Sequence, residues 1–183
     1  FEALMTEHQL THKPGLMQHC EACMRAKKKR RKRFRHAYQR EPKKFGDLIT
    51  ADHVQMSQRA WPGIGHKTYM LVVYDLATRL KFADPGCMDG LDTVAFMKKV
   101  VGQDDVRAMY ADNHRSLKAS ARLLAAAFQG STPGIHRSNA IIERCNQDIE
   151  NGIRAALVNA GFPACWWPYA APHYCHMENT TVN

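Results

Sequence analysis

The feature that most constrains the fold is a basic segment, residues 25–44, that cannot belong to a hydrophobic core. It holds twelve Lys or Arg side chains and one acid, and seven of the bases are consecutive from Lys27 to Arg33. The rest of the chain holds 14 bases and 16 acids. Because a segment with so few apolar residues and so much like charge cannot bury a face, we expect it to be extended or weakly helical.

This basic linker separates a short N-terminal segment, residues 1–24, from a longer one, residues 45–183. The chain has 183 residues, of which 45% are hydrophobic, so it can form one domain with a core and a small appendage. No stretch approaches the roughly 18 consecutive apolar residues of a membrane span, and the N-terminus lacks the pattern of a secretion signal. We therefore expect neither a membrane protein nor a secreted one.

A run of seven consecutive bases is typical of a segment that binds a polyanion. Two functions fit it, a nuclear import signal and a nucleic-acid-binding arm, and the two are compatible. The alternative is a solvated, self-repelling linker without a partner. We predict nuclear localisation and DNA binding by the seven bases, which are Lys27, Lys28, Lys29, Arg30, Arg31, Lys32 and Arg33.

The N-terminal segment contains four side chains with the spacing of zinc ligands. His8 and His12 are four residues apart, which places two imidazoles on one face of a helical turn. Cys20 and Cys23 are three apart, as in the thiolate pair of a tight knuckle. Together they could complete a tetrahedral Zn²⁺ site, with His19 as an alternative to either histidine; a degenerate remnant and a chance spacing are the other interpretations. Without metal this segment should be unfolded.

The longer segment shows the patterns of strands and helices in alternation. Apolar alternation and short apolar runs predict five strands, at residues 45–54, 69–74, 79–83, 106–112 and 127–131. Helical periodicity predicts helices over residues 88–102, 116–126, 138–159 and from 162 to the C-terminus. An α/β fold follows, with a mixed sheet flanked by helices.

Several residues should define the ends and packing of these helices. Gly102 and Gly161 are predicted to stop the first and third helices, and Ser116 to cap the second. The aromatic residues of the last helix are predicted to cover the core rather than to stack on bases, with stacking left open for any that are exposed. They are Trp166, Trp167 and Tyr169.

Two acids lie in or at the end of predicted strands, where charge is disfavoured. Asp52 lies inside the first strand, and Asp112 ends the fourth. Because strand propensity and burial both oppose an aspartate there, something should compensate each charge, and a divalent cation does so directly. If the two strands are neighbours, the carboxylates lie side by side, and the long helix could bring Glu143 to the same point. Three oxygen ligands suit Mg²⁺ or Mn²⁺ and a two-metal phosphodiester displacement.

Glu143 also has a purely structural interpretation. It begins a polar helical face that continues through Gln147, Glu150 and Arg154. Glu150 and Arg154 have the i,i+4 spacing of an ion pair. On this interpretation Glu143 is a surface residue of the helix without a chemical role.

The strings that surround the three acids are similar to those of a known enzyme family. They are TADHV at 50–54, ADN at 111–113, STPGIHRSNAIIERCNQ at 131–147 and the tail AALVNAGFPACWWPYAAPHYCHMENTTVN from 155. They resemble the integrase catalytic core of LTR retrotransposons of the copia and gypsy type. The cluster of histidines and cysteines before the basic linker, with CEACMRAK, resembles the zinc-binding region that precedes that core. The resemblance covers essentially the whole chain.

This resemblance implies an RNase H-like fold with a five-stranded mixed sheet. It implies that Asp52, Asp112 and Glu143 bind Mg²⁺ or Mn²⁺ and catalyse 3′-end processing and strand transfer of element DNA. It also implies a homo-oligomer that holds two DNA ends, in the nucleus and in cytoplasmic element particles. Four residues would lie near the DNA at the rim of the site: Asn113, His136, Ser138 and Asn139.

Two other functions remain open from the sequence. One is a related RNase H-like nuclease or a transposase, which would use the same three acids. The other is an inactive or domesticated DNA-binding module that keeps the zinc-binding segment and the basic linker but has lost its chemistry.

Overall fold

The structure, a computed structural model, describes Cys20 and residues 41–86, 90–131 and 140–181. The chain separates into two units, Phe1–Gln39 and Arg40–Asn183, and the second is described below. Of the predicted zinc ligands, Cys20 is described and is half-buried. The other sequence predictions that lie outside the described residues concern His8, His12, Cys23, the basic run from Lys27 to Arg33, His136, Ser138 and Asn139.

A five-stranded mixed sheet forms the centre of the domain. Its strands are β1 (Ile49–Gln55), β2 (Tyr69–Asp75), β3 (Lys81–Gly86), β4 (Ala108–Ala111) and β5 (Ala127–Gly130). They lie in the order β3-β2-β1-β4-β5. The first three strands along the chain are antiparallel, whereas β4 is parallel to both β1 and β5. The predicted α/β architecture, a mixed five-stranded sheet flanked by helices, is confirmed.

In the part of the chain that the structure describes, four α-helices flank the sheet: α1 (Gly90–Val101), α2 (Arg115–Leu123), α3 (Ala140–Ala160) and α4 (Trp167–Thr180). Gly102 and Gly161 follow α1 and α3 with φ of 62° and 69°, so the predicted glycine stops are confirmed. The prediction that Ser116 caps α2 is wrong, because the cap is His114 and Ser116 lies buried in the first turn. Within the described residues, no helix is long and apolar enough to cross a membrane.

The sheet has a hydrophobic cluster on each face because successive side chains of a strand point to opposite sides. On one face α3 and α4 cover Met70 and Val72, and on the other α1 and α2 cover Leu71 and Val73. In β1 this alternation directs Asp52 toward α3. The next residue, His53, therefore faces α1 and α2.

The aromatic residues at the start of α4 differ in burial. Trp167 is 5% exposed and packs in the cluster under α3 and α4, as predicted. Tyr169 is 59% exposed, so the prediction that it covers the core is wrong. Two positions separate them on the helix, which turns by about 100° per residue, so they lie on nearly opposite sides.

Lys81 ties the edge strand β3 to both α3 and α4. Its ammonium group pairs with Asp148 of α3, and with Glu178 of α4 at 2.9 Å. These carboxylates raise the pKa of Lys81, although partial burial acts in the opposite direction. The Asn179 side chain accepts the backbone N–H of Lys81 at 2.9 Å and donates to its carbonyl at 2.7 Å. The side chain thus occupies backbone groups that an edge strand would otherwise expose.

The loop between β1 and β2, residues 56–68, packs on the start of α4 through Gly63. A Cβ atom at this position would lie 2.4 Å from Trp167 Nε1 and 2.7 Å from a ring carbon of Pro168. Trp167 Nε1 is itself buried without a hydrogen-bond partner in the described protein. Glycine is therefore needed at this position so that the loop can approach the indole.

We expect Gly63→Ala to lower the free energy of unfolding by about 1–3 kcal/mol, since overpacking a buried contact forces its neighbours to move. Denaturant unfolding followed by circular dichroism measures the change. Gly90→Ala is the matched control, because Gly90 is the first residue of α1 and a Cβ atom there would meet no other atom within 4 Å. The control should be neutral or stabilising by up to about 1 kcal/mol. Equal midpoints for Gly63→Ala and the parent would show that the loop is not tightly packed on Trp167.

Candidate active site

Asp52 and Asp112 lie side by side at one edge of the sheet. Strand β1 pairs in parallel with β4, and Ala51 is opposite Ala111. Asp52 follows Ala51, and Asp112 follows Ala111, so the register of this strand pair brings the two acids together. The prediction of a shared site required the first and fourth strands to be neighbours in the sheet, and they are.

The protein environment disfavours the charge of Asp52. The side chain is half-buried, and burial raises the pKa of its carboxyl above the ordinary value. The negative charges of Asp112 and Glu143 raise this pKa further, which requires both to be near Asp52. The structure thus brings all three predicted acids into one electrostatic neighbourhood.

Asn146 holds Asp52 in place, and the sequence analysis did not identify it. Its Nδ2 donates a hydrogen bond of 2.9 Å to Asp52 Oδ2, which lowers the pKa of Asp52 and opposes the effect of burial. Asn146 is 8% exposed, and its Oδ1 is buried without a partner in the described protein. The sequence did contain a signal, since Asn146 interrupts an apolar stripe that includes Ile142 and Ile149.

Glu143 lies one helical turn before Asn146, in the first turn of α3. Its side chain is exposed, whereas the adjacent Ile142 is 1% exposed and anchors this turn to the sheet. The backbone of Glu143 is therefore fixed by packing while its carboxylate remains accessible to solvent and to a ligand.

The turn that follows β4 orients Asp112. Asp112 Oδ1 accepts the backbone N–H of His114 at 3.0 Å, in the turn where α2 begins. Asn113, predicted to lie near DNA, is exposed, and its amide donates to the Ser131 carbonyl at 3.1 Å. A Cβ atom on Gly130 would lie 2.5 Å from Asn113 Oδ1. Asn113 thus braces the turn against the end of β5, a role that the sequence did not indicate.

A pair of histidines lies on the other face of β1. The rings of His53 and His114 have centroids 5.0 Å apart, and His53 Nε2 lies 3.3 Å from the Thr93 hydroxyl. Burial and the neighbouring His114 lower the pKa of His53, although the charge of Asp112 opposes this. The neutral imidazole is therefore favoured, and the pair connects β1 to the turn that carries Asp112.

The donor chemistry of this edge fits a hard divalent cation. Three carboxylates and the unpartnered Asn146 Oδ1 are oxygen donors, which Mg²⁺ and Mn²⁺ prefer. A cation would also relieve the repulsion that raises the pKa of Asp52. Among the residues that the structure describes, however, no three His, Cys, Asp or Glu side chains are close enough together to hold a metal ion. The acids are thus neighbours that do not form a preassembled cage.

Comparisons with known proteins identify no relative: no protein-family model matches the chain, and no curated protein matches it.

We expect Asp52→Asn to stabilise the metal-free protein at neutral pH. The substitution removes a half-buried charge that Asp112 and Glu143 repel, and the new amide oxygen can still accept the hydrogen bond from Asn146. A gain on the order of 1 kcal/mol would raise the midpoint of thermal unfolding by about 2–4 °C in a domain of this size. Differential scanning fluorimetry in EDTA measures the midpoint.

The pH dependence of this gain has a defined sign. Because the pKa of Asp52 is raised in the fold, its charge destabilises the parent above that pKa, and the penalty disappears as the pH falls through the ordinary aspartate range. The advantage of Asp52→Asn should therefore shrink toward acid pH. Asp104→Asn changes an exposed acid after α1 and is the control, which should leave the midpoint at neutral pH unchanged. If the metal-free parent were more stable than Asp52→Asn at neutral pH, Asp112 and Glu143 would not destabilise the charge of Asp52.

Asn146→Ala should weaken Mg²⁺ binding and shift it to higher pH. The variant loses the hydrogen bond that lowers the pKa of Asp52, and a metal binds the deprotonated carboxylate. Loss of a residue that orients a ligand typically reduces metal affinity by about 10–100-fold. Thermal stabilisation by Mg²⁺, titrated at several pH values, measures both effects. Asn151→Ala, at an exposed position of α3, is the control, and identical titrations of the two variants would remove Asn146 from the site.

Proposed function

We propose that this protein is an integrase that catalyses metal-dependent 3′-end processing and strand transfer of retroelement DNA. The observation that carries the proposal is the pairing of Ala51 with Ala111, which sets Asp52 and Asp112 next to each other. The pKa of the half-buried Asp52, which Asp112 and Glu143 raise, agrees with it. The three acids belong to the strand β1, the turn after β4 and the helix α3. This is the arrangement that the resemblance to retrotransposon integrases implies.

The architecture supports the proposal. The mixed sheet, with three antiparallel strands and two that continue in parallel, is consistent with an RNase H-like fold. In that fold the first acid would lie on the central strand β1 and the second after β4. The third acid would lie on the long helix α3, which packs on the same face as Asp52.

In this mechanism Asp52, Asp112 and Glu143 hold Mg²⁺ or Mn²⁺. When bound, the metal supplies activation of the attacking oxygen and stabilisation of the leaving oxygen in an in-line phosphodiester displacement. Asn146 orients the Asp52 carboxylate by donating a hydrogen bond to Oδ2. The backbone N–H of His114 orients Asp112 in the same way through Oδ1.

The remaining parts of the proposal concern DNA, zinc and assembly. The basic run from Lys27 to Arg33 binds DNA and directs the protein to the nucleus. Asn113, His136, Ser138 and Asn139 contact DNA at the rim of the site. Zn²⁺ binds the N-terminal segment through His8, His12, Cys20 and Cys23. The active form is a homo-oligomer that holds two DNA ends.

A second candidate function is an inactive DNA-binding module derived from such an element. The observation in its favour is that the acids do not form a metal cage in the described residues, and that Glu143 is exposed. A module of this kind would bind DNA through the basic linker and would not respond to changes in the three acids.

Strand transfer of a short duplex with an element-like end tests the proposal directly, in Mg²⁺ or Mn²⁺. We expect Glu143→Gln to reduce strand transfer by at least about 100-fold, because it removes a charge that the metal site requires. Glu150→Gln is the matched control on the same helix. Its carboxylate lies 3.7 Å from Arg154, the ion pair that the spacing predicted. The control should retain activity within about twofold.

Three outcomes separate the candidates. Loss of activity in Glu143→Gln alone supports the integrase. Equal activity in the parent and Glu143→Gln would overturn the assignment of the acids. A parent that binds DNA but is inert with both metals would favour the inactive module.

A further inference from the structure

An exposed tryptophan stands on the loop that follows the strand of Asp52. Trp61 is 82% exposed, in the β1–β2 loop that spans residues 56–68. A single exposed apolar side chain is common in folded proteins, so exposure alone assigns no function. The way the loop is held, its charge and its position together point to a ligand.

The loop is fixed rather than loosely tethered. The N–H of Met56 donates to the Thr68 carbonyl at 2.9 Å, and the N–H of Gly63 donates to the Lys67 carbonyl at 2.7 Å. Trp61 itself donates its backbone N–H to Gln58 at 3.0 Å. Gly63 packs directly against Trp167. The indole of Trp61 is therefore presented to solvent on a braced support, which reduces the entropy that it would lose on binding.

The charged side chains of the loop sequence itself are all positive, although Lys67 lies near the Asp84 carboxylate of β3. No Asp or Glu occurs between His53 and Tyr74, a stretch that contains Arg59 and Lys67. Arg59 is exposed two residues before Trp61, and Lys67 is half-buried at the base of the loop. By contrast, the chain outside the basic linker carries slightly more acids than bases. A polyanion is the ligand class that matches an exposed ring with flanking cations.

The loop lies at the same sheet edge as the acids. It begins where β1 ends, at Gln55, three residues after Asp52. At about 3.3 Å per strand residue, the two positions are roughly 10 Å apart along the strand. A nucleic-acid strand whose phosphate lies at Asp52 therefore passes close to the base of this loop.

We propose that Trp61 stacks on a nucleobase of the DNA strand that lies at the Asp52 edge, while Arg59 and Lys67 hold neighbouring phosphates. The inference rests on the proposed function, which makes DNA the ligand and puts one of its phosphates at Asp52. An aromatic ring gains binding energy from the π-face of any base, and adjacent cations track the backbone. The contact would position the strand without reading its sequence.

A second exposed aromatic group does not meet these conditions. Phe162 and Trp166 stack on each other with centroids 4.7 Å apart, and Trp166 lies 5.5 Å from Tyr169. Their ring faces are thus partly occupied by each other. Residues 155–177 also contain no Lys or Arg that could hold a phosphate. From the sequence, base stacking was an alternative for Trp166 and Tyr169, and Trp61 was not a candidate.

Fluorescence quenching of the full chain by a short single-stranded oligonucleotide tests the proposal. Stacking on a base quenches an indole, and Trp61 is one of three tryptophans. The titration is performed in Mg²⁺, which would neutralise the three acids, over a series of salt concentrations. We expect Trp61→Ala to abolish most of the quenching and to weaken binding about tenfold or more. Trp61→Phe should lose the quenching but retain most of the affinity, because a phenyl ring still stacks.

The salt series distinguishes stacking from charge. Trp61→Ala should lower affinity by a similar factor at every salt concentration and leave the slope against log salt unchanged. Arg59→Ala should reduce that slope by about 0.7, the value for one lost phosphate contact on a single strand. Leu91→Ala is the control, because this side chain is 84% exposed on α1 and should change neither quantity.

Three results would overturn the proposal. The first is an oligonucleotide affinity that Trp61→Ala leaves unchanged. The second is an equal loss of oligonucleotide affinity in Trp61→Ala and Trp61→Phe. The third is a Trp61→Ala variant that binds DNA as tightly as the parent but has a lower molar mass than the parent in light scattering. That result would make the loop a contact between copies of the chain. Because the titration measures binding and needs no catalysis, a failure of strand transfer would leave its outcome intact. Failure of both would remove DNA as the ligand.

Discussion

The structure of the candidate site depends on one unfavourable interaction, the burial of the Asp52 carboxylate on the central strand. Partial burial and two neighbouring acids disfavour its charge, and hydrogen bonds from the Asn146 side chain and the His53 backbone oppose them. A buried charge persists in a fold only when something compensates it. In the described protein the compensation is incomplete, which is the condition that favours uptake of a cation.

The helix that carries the opposing hydrogen bond must therefore be held firmly over β1. Ile142 and Ile149 bury the inner face of α3, and the pairing of Lys81 with Asp148 connects it to the edge strand. Together these contacts fix the backbone of Glu143 although its carboxylate is exposed. Stability is thus concentrated in the packing of the helix, and the site itself carries the repulsion, a distribution common where activity opposes stability.

The sequence predicted the features that depend on local pattern and failed where tertiary contacts decide. Strand acids, the apolar stripe of α3 and the glycine stops each have a local signature, and the neighbouring positions of Asp52 and Asp112 then follow from strand pairing. Asn146 was missed because its partner lies 94 residues away. Ser116 failed as a cap because the Asp112 side chain starts the turn before it. The exposure of Tyr169 depends on the helical rotation that buries Trp167.

Binding and chemistry in this protein would respond to different physical variables. Outside the basic linker the chain has a small excess of acids, so attraction to DNA has to come from the linker and from local cations such as those of the β1–β2 loop. That attraction falls as salt displaces phosphate contacts. On the proposed function, the three acids would repel DNA phosphates until a divalent cation neutralises them, so their contribution would depend on metal and on the pKa of Asp52. Stacking of the Trp61 indole on a base would depend neither on salt nor on metal or the pKa of Asp52. Salt, metal and pH can therefore separate the arm, the acids and the loop within one intact chain.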